Sequence, residues 1–264
     1  MLNNGIDIVI EIKDLKKNYI LNNKKTFALN GISLKLPEGK FISVIGPSGA
    51  GKSTLLRSIN GMIKADSGSI IIDGKDITQL KGKKKREIQK NICMIFQDFC
   101  LVKSSTVIKN VLNACLSDMN VFSVIFGLFG IENKRNAEKI LERVGMADKM
   151  YQPAESLSGG EQQRVAIARA IMQGGKILLA DEPVASLDPV NANDVLNLLK
   201  SLQLEKNMTV IMNSHNVEQA LKYSDWIIGL NSGHIVYQNS PQMLTDQVKE
   251  IIYRKDNGNG QSRK

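Results

Sequence analysis

A glycine-rich loop between a predicted strand and a predicted helix limits the possible folds of this chain more than any other feature. Eight residues form the loop: Gly46, Pro47, Ser48, Gly49, Ala50, Gly51, Lys52 and Ser53. The apolar run Phe41–Ile45 precedes it, and a helical pattern runs from Thr54 to Ile59 after it. Strand, glycine-rich loop and helix in this order are the context in which G-x-x-x-x-G-K-S holds phosphate.

Each part of this loop suits an anion. Glycines allow successive backbone N–H groups to turn inward, and the positive end of the helix dipole adds to the attraction. Lys52 is expected to reach the β- and γ-phosphates, and the hydroxyl of Ser53 is expected to bind Mg²⁺. The segment from Gly46 to Thr54 is therefore predicted to bind a nucleoside triphosphate.

Composition is that of an ordinary globular chain. The 264 residues can form one large α/β domain, or a domain with a smaller lobe. No apolar run reaches the roughly 20 residues that span a bilayer, and the N-terminus has no signal-peptide pattern. These features predict a cytoplasmic protein that reaches a membrane only through a partner. Cys93, Cys100 and Cys115 form no C-x-x-C pair and are expected to be buried, reduced thiols.

The net charge of +9 permits contact with nucleic acid but does not require it. Much of the excess lies in Lys81–Arg86 and in the last residues of the chain. Neither run has the interleaved aromatic side chains that stack on bases. Both are therefore interpreted as solvated surface, and no nucleic-acid partner is predicted.

Hydrophobic periodicity divides the chain into a strand-rich beginning and a helical middle. Strand patterns cover 6–12, 27–36, 69–72 and 91–96, with a turn at Asp73-Gly74. From Lys103 to Ala154 the period is helical, which predicts a helical subdomain inserted at about 103–156 within a single domain of residues 1–254. Residues 255–264 are predicted to be a disordered basic tail. The apolar stretch 121–129 is too short to span a membrane, and is either a core helix of the lobe or a surface that receives another protein.

A second group of chemically active residues follows the helical middle. Leu157–Arg164 reads LSGGEQQR and opens a helix that ends at Gly174-Gly175. The apolar run Ile177–Ala180 then ends in Asp181 and Glu182, and buried carboxylates are costly unless they bind a partner or a metal. At the carboxyl edge of a parallel sheet, Asp181 would complete a Mg²⁺ shell and Glu182 would orient or deprotonate a water.

The last part of the chain returns to strand patterns. These cover 208–213, 226–230 and 234–238, and a final helix is predicted from Pro241 to Tyr253. His215 lies two residues past the first of these strands. That position after the carboxylate pair favours a role at the site over an ordinary core histidine.

In this order the motifs resemble those of the ATP-binding-cassette ATPases. The matching residues are Tyr19, the loop 46–53, Gln97, LSGGEQQR at 157–164, ILLADE at 177–182, Ser186-Leu187-Asp188 and His215. The match extends from about Ile6 to Leu244. The resemblance implies an α/β fold in which a P-loop NTPase core carries an N-terminal antiparallel β subdomain and an inserted α-helical subdomain.

Several assignments come from this resemblance rather than from spacing. Tyr19 would stack on the base, Gln97 would touch Mg²⁺ or the attacking water, and His215 would contact the γ-phosphate. Ser158, Gly159 and Gly160 would cap the γ-phosphate held by a second copy, in a head-to-tail homodimer. With ATP and Mg²⁺ as the ligands, the implied catalytic residues are Lys52, Gln97, Glu182 and His215, and the implied metal ligands are Ser53, Gln97 and Asp181.

Within that family the chain most resembles the ATP-binding subunits of bacterial phosphonate importers. Three segments carry the closer resemblance, at 57–61, 121–129 and 181–189. The resemblance implies a homodimer on the cytoplasmic face of the membrane, bound to two permease subunits and served indirectly by a substrate-binding protein. Importers of phosphate or amino acids and lipoprotein-release systems remain alternatives, because the substrate never touches this subunit.

Two other classes fit less well. Soluble cassettes of DNA repair or translation typically carry coiled-coil insertions or two fused cassettes. This chain has one phosphate loop, one LSGG and no heptad run. A nucleotide kinase or GTPase would lack LSGG and the set from Gln97 to His215.

Overall fold

The computed structural model of the chain describes residues 7–21, 24–119, 122 and 129–254. These residues fall into two compact units. Unit 1 combines Met1–Gln79 with Asn213–Lys264, and unit 2 is Leu80–Met212. The glycine-rich loop belongs to unit 1, whereas Gln97, the LSGG segment and the carboxylate pair belong to unit 2.

Unit 1 contains an antiparallel sheet of four strands in the order β2-β1-β4-β5. The strands are β1 (Ile8–Leu21), β2 (Lys24–Pro37), β4 (Ser67–Ile72) and β5 (Lys75–Asp76). β1 pairs with β2 over most of its length, from Ile8↔Pro37 to Leu21↔Lys24. Apolar residues at alternate positions, such as Ile10 and Ile12, are buried, so this sheet has one core face as its period-two pattern predicts.

Unit 1 also holds the strands that frame the phosphate loop. β3 (Phe41–Ile45) is parallel to β9 (Trp226–Asn231), and β9 is antiparallel to β10 (His234–Asn239). The helices of this unit are α1 (Lys52–Ile59), α7 (Val217–Tyr223) and α8 (Asp246–Tyr253), with a 3₁₀ turn at Pro241–Met243. The strands and helices of this unit share a buried apolar cluster, so the last residue of β3 is packed in the core. The cluster consists of Ile45, Ala220, Ile227, Leu244 and Ile252.

Unit 2 is built on parallel strands with a helical insertion. β6 (Ile92–Ile95) and β7 (Ile177–Asp181) are parallel and fully buried, and residues 209–212 of β8 (Thr209–Ser214) lie beside β7. The helices are α2 (Gly82–Lys90), α3 (Val107–Leu112), α4 (Ile131–Arg143), α5 (Gly159–Gln173) and α6 (Pro189–Lys206). Short 3₁₀ turns lie at Asn113–Asp118, Ala147–Lys149 and Ala154–Ser156.

The described residues between β6 and β7 form helices and turns and no strand, as the helical period predicts. Buried Asn110 holds the entrance to this insertion, because its side-chain amide accepts from Val102 N and donates to the carbonyls of Val102, Ser105 and Thr106. The boundaries 103–156 and the single domain 1–254 stay predictions. The expected tail 255–264 lies outside the described residues. So does most of the apolar stretch 121–129, of which Phe122 and Phe129 are described. Phe122 is 74% exposed and Phe129 is half-buried.

Three details of the sequence prediction were wrong. Tyr19 lies within β1, paired with Thr26, rather than between two strands, because polar residues continue the ladder with β2. The predicted helix Pro241–Tyr253 is divided, since Thr245 caps a new helix by accepting from Val248 N. All three cysteines are free, but only Cys93 is buried, because Cys100 is exposed and Cys115 is half-buried.

No helix among the residues described is both long enough and apolar enough to cross a membrane.

Candidate functional site

The glycine-rich loop can exist only with glycine at two of its positions. Gly46 has φ +151°, and a Cβ there would lie 2.0 Å from the carbonyl oxygen of Leu230. Gly51 has φ +104°, and its Cβ would lie 2.1 Å from the carbonyl oxygen of Ala28. The loop is therefore pressed against neighbouring backbone on one side. A Cβ at Gly49 would meet nothing within 4 Å, so the exposed side of the loop is open.

Lys52 lies across the loop that it ends. Its side chain is only 4% exposed, and Nζ donates to the carbonyl oxygens of Gly46 (2.8 Å) and Pro47 (3.0 Å). The ammonium is thereby held at the loop, where its positive charge attracts an anion. The start of α1 follows at once, with Gly51 as a left-handed N-cap that supplies no side-chain hydrogen bond.

These features fit a triphosphate. The N–H groups of the first turn of α1 point toward the loop, and the helix dipole favours negative charge there. The open side at Gly49 gives a ligand access to that backbone. Loop, helix start and Lys52 together form the kind of cradle in which phosphate oxygens are held by backbone donors.

Unit 1 also contains Tyr19 and His215. The ring of Tyr19 is 43% exposed on β1, and Lys17 Nζ lies 5.5 Å from its centroid. His215 is exposed and follows β8 directly, one residue closer to the strand end than predicted. The next residue, Asn216, caps α7 by accepting from Gln219 N, which fixes the backbone just after the histidine.

In unit 2 the strand register brings three predicted site residues to one edge. β6 and β7 are parallel, and their last paired residues are Ile95 and Ala180. Gln97 and Glu182 each lie two residues beyond that pair, so both leave the carboxyl ends of neighbouring strands. Asp181 is the last residue of β7 and is completely buried. Parallel sheets place ligands at this edge.

Glu182 has an unusual backbone for its residue type. Its φ is +52°, in the left-handed region, and its side chain is half-buried. A non-glycine residue in that conformation costs about 1–2 kcal/mol. Residues with such strain cluster at active sites and ligand clamps. Among the described residues no group of three or more His, Cys, Asp or Glu side chains could hold a metal.

The LSGG segment forms a capped and exposed helix start. Ser158 is the N-cap of α5, and its hydroxyl accepts from Glu161 N while Glu161 Oε2 accepts from Ser158 N (2.9 Å). Lys149 Nζ lies 2.5 Å from Glu161 Oε1, and this contact is the main cause that lowers the pKa of Glu161. Ser158 and Gly159 are exposed, and a Cβ at Gly159 would meet nothing within 4 Å.

Asp188 forms a second such cap in the same unit. Its carboxylate accepts from Val190 N, Asn191 N and the Asn191 side chain, and these bonds, led by the last, lower the pKa of Asp188. Asn191 lies close to Gly160, where an added Cβ would come within 3.4 Å of Asn191 Cγ. The starts of α5 and α6 are therefore neighbours.

Sequence reasoning missed Arg169, which contacts the segment after Gln97. From α5 it donates to the carbonyl oxygens of Phe99 (2.9 Å) and Cys100 (2.6 Å). The sequence does contain one indication of this role, because Arg169 is the single charged residue within the apolar run Val165–Ile171. A charged residue on a buried helix face needs polar partners.

A match to the ABC transporter family covers residues 29–185, more than half of the chain. The chain belongs to the ABC transporter family. Two curated relatives in this family carry the name phosphonates import ATP-binding protein PhnC. The relative from Lactococcus lactis is 44% identical over 248 residues, which is 94% of this chain and 100% of the relative. The one from Lactobacillus johnsonii is 48% identical over 250 residues, covering 95% of this chain and 97% of the relative.

Solved ABC cassettes have the same fold. The dimeric structure of MJ0796, described as a post-hydrolysis state bound to ADP and Pi, has a TM-score of 0.79 and 30% identity. The structural alignment covers 89% of this chain and 100% of the MJ0796 chain. CbiO1 from Clostridium perfringens, part of the transporter complex cbiONQ, has a TM-score of 0.76 and 29% identity, covering 89% and 90%. The chain is therefore an ABC ATPase with an antiparallel β subdomain and a helical insertion.

Proposed function

We propose that this chain is the ATP-hydrolysing subunit of an importer for phosphonates. One observation carries the substrate class: relatives at 43–48% identity over 93–95% of the chain are named phosphonates import ATP-binding proteins. Because the cassette does not touch the transported molecule, overall likeness supports this assignment better than any single residue. Importers of phosphate or amino acids are the second candidate.

The nucleotide is proposed to bind along Gly46–Thr54. Backbone N–H groups of the loop and of the α1 start would donate to phosphate oxygens. Lys52, whose ammonium bonds the loop carbonyls, would place its positive charge beside the β- and γ-phosphates. The exposed ring of Tyr19 would stack on the base.

A magnesium ion fits the oxygen donors proposed for it. These are the hydroxyl of Ser53, the amide oxygen of Gln97 and the carboxylate of Asp181. Mg²⁺ prefers oxygen ligands and usually keeps several waters, so few protein ligands suffice. The position of Asp181 supports the assignment, because it is the last residue of β7, at the edge where parallel sheets place ligands. When bound, the ion would screen the charge on the phosphate oxygens.

Glu182 is proposed to orient or deprotonate the attacking water. Its backbone is left-handed, and it lies level with Gln97 in the strand register, two residues beyond the last pair of β6 and β7. Gln97 would touch the same water or the metal. His215 would donate to the γ-phosphate from the end of β8.

The assembly is proposed to be a head-to-tail homodimer. Ser158, Gly159 and Gly160 would close over a γ-phosphate held by the other copy, since Ser158 and Gly159 are exposed and the positive end of a helix dipole attracts anions. Two copies would dock on two permease subunits on the cytoplasmic face of the membrane, with a substrate-binding protein on the other side. The helical insertion at about 103–156 of the domain 1–254 would make that contact.

The test is transport by the assembled importer. Proteoliposomes that contain this subunit, its two permease subunits and the binding protein should take up a phosphonate such as 2-aminoethylphosphonate in an ATP-dependent way. Glu182→Gln in the same assembly should abolish uptake. Uptake of inorganic phosphate or an amino acid in place of the phosphonate would reassign the substrate. An assembly that hydrolyses no ATP would refute the function itself.

A further inference from the structure

The segment that follows Gln97 has a backbone that its sequence does not favour. Phe99 and Cys100 both have positive φ, +57° and +50°. Neither is a glycine, and consecutive left-handed residues are rare because Cβ crowds the next carbonyl group. Two neighbouring residues in this conformation turn their carbonyl groups toward the same side. Such an arrangement lasts only where the surroundings hold it.

The side chain of Arg169 stabilises this backbone conformation. Its Nη2 donates to Phe99 O at 2.9 Å and its Nη1 to Cys100 O at 2.6 Å, so one guanidinium binds both carbonyls. The planar fork of arginine suits two parallel acceptors, and a charged donor makes stronger bonds than a neutral one. Burial lowers the pKa of Arg169, but arginine keeps its proton throughout the working range.

The helix that carries Arg169 begins at the LSGG segment. α5 begins at the Ser158 cap, and its residues Val165–Ala168 are buried. Ser158 and Arg169 therefore lie on one helix that is packed into the core between them. Arg169 is the eleventh residue after Ser158, which corresponds to a span of roughly 16 Å along a helix. Gln173 secures the far end of α5 by donating to Gln89 O, Lys90 O and Ile92 O around the start of β6.

From these contacts we propose that Arg169 is a positioning residue for ATP hydrolysis. It holds Phe99 and Cys100 in their left-handed conformation, and so fixes where Gln97 lies at the end of β6. The inference rests on the proposed function of Gln97.

Amide hydrogen exchange, measured on the full chain, tests directly whether Arg169 stabilises the segment after Gln97. Arg169→Met keeps a long apolar stem but removes the donors, and we expect amide exchange across residues 97–102 to rise about tenfold or more as charge-assisted bonds are lost. Arg169→Lys keeps the positive charge, and its amide exchange rate at 97–102 should lie between those of Arg169→Met and wild type. Arg143→Met is the matched control, since Arg143 also joins two elements of unit 2, through Glu205 (2.7 Å) and Ser201. Exchange at 97–102 should not change in that variant.

Kinetics then separate positioning from simple stability. In Arg169→Met we expect kcat per folded molecule to fall about fivefold or more while KM for ATP stays within about twofold, since ground-state nucleotide contacts remain. Arg169→Lys should restore part of kcat, and Arg143→Met should keep wild-type kcat at a comparable melting temperature.

Unchanged exchange at 97–102 in both Arg169 variants would overturn the proposal. So would an equal loss of kcat in Arg143→Met. If wild type hydrolyses no ATP, the proposed function fails instead, and the exchange measurement alone still decides whether Arg169 holds the segment.

Discussion

At the scale of single residues, the phosphate loop shows how one side chain serves two purposes. Lys52 Nζ bonds two carbonyls of its own loop, Gly46 O and Pro47 O, within a nearly buried position. The same ammonium is the cation proposed to meet the phosphates. Removing it therefore takes away both a brace within the loop and the attraction for the ligand.

Lys52→Ala should lose nucleotide affinity by about tenfold to a hundredfold, the effect of losing a charge-assisted hydrogen bond together with its charge. Titration of the variant with a fluorescent ATP analogue measures this. Lys64→Ala, which replaces an exposed lysine outside the loop, is the control and should bind as wild type does. Retained tight binding in Lys52→Ala would contradict the site assignment.

Cys93 predicts a dependence of stability on pH. Burial raises the pKa of its thiol from 9.0 to about 11, although Gly175 N donates to Sγ at 3.3 Å. Above pH 9 the unfolded chain ionises this thiol and the folded chain does not, so the free energy of unfolding falls as pH rises. The loss is about 1.4 kcal/mol per pH unit between pH 9 and 11. Urea titrations of wild type and Cys93→Ala at several pH values should show a steeper decline in wild type.

Cys115→Ala is the control for that measurement, because Cys115 is only half-buried. It should keep the wild-type pH slope. Equal slopes in wild type and Cys93→Ala would contradict the assignment to Cys93.

At the scale of elements, much of the secondary structure could be predicted because local chemistry decides it. β3 and β7 were recognised as buried apolar runs, and Gly174 ends α5 with φ +74°, as its sequence indicates. Phe99 and Cys100 could not be predicted, because their left-handed backbone depends on Arg169, about 70 residues further along the chain. The length of β1 was also missed, since its polar half is set by pairing with β2.

The loop between β3 and α1 gives a matched pair of glycine substitutions. Gly49→Ala should lower the melting temperature by about 2–4 °C, because alanine would adopt the left-handed backbone conformation there but its Cβ would meet no other atom. Gly51→Ala should lower it by about twice as much or more, because its Cβ would also meet the carbonyl oxygen of Ala28 at 2.1 Å. Thermal unfolding without nucleotide measures both. Equal effects would mean that the loop backbone can yield at Ala28.

At the scale of the whole molecule, sequence resemblance predicted the family and its fold, and the comparisons confirmed both. The roles of individual site residues stay predictions, as does the sharing of each site between copies. They rest on Gln97 and Glu182 leaving neighbouring strand ends, and on an LSGG segment left exposed in one copy.

Two substitutions test the proposed dimer together. Glu182→Gln should reduce turnover by about a hundredfold or more while ATP still binds, since a lost general base acts on the chemical step. It should therefore accumulate as a dimer in ATP on size-exclusion chromatography with light scattering. Ser158→Arg, added to Glu182→Gln, should bind ATP and stay monomeric, because a bulky cation blocks the exposed helix start.

Wild-type turnover in Glu182→Gln would remove that residue from the mechanism. A stable ATP-bound dimer in the double variant would show that the Ser158 segment lies outside the interface.

The stacking proposed for Tyr19, which pairs with Thr26 on β1, would have a consequence for which nucleotides are accepted. Stacking depends on ring area, and every purine presents a flat face. A stacking contact alone would leave discrimination between adenine and guanine to their concentrations in the cell, and GTP should then be hydrolysed at a rate close to that of ATP.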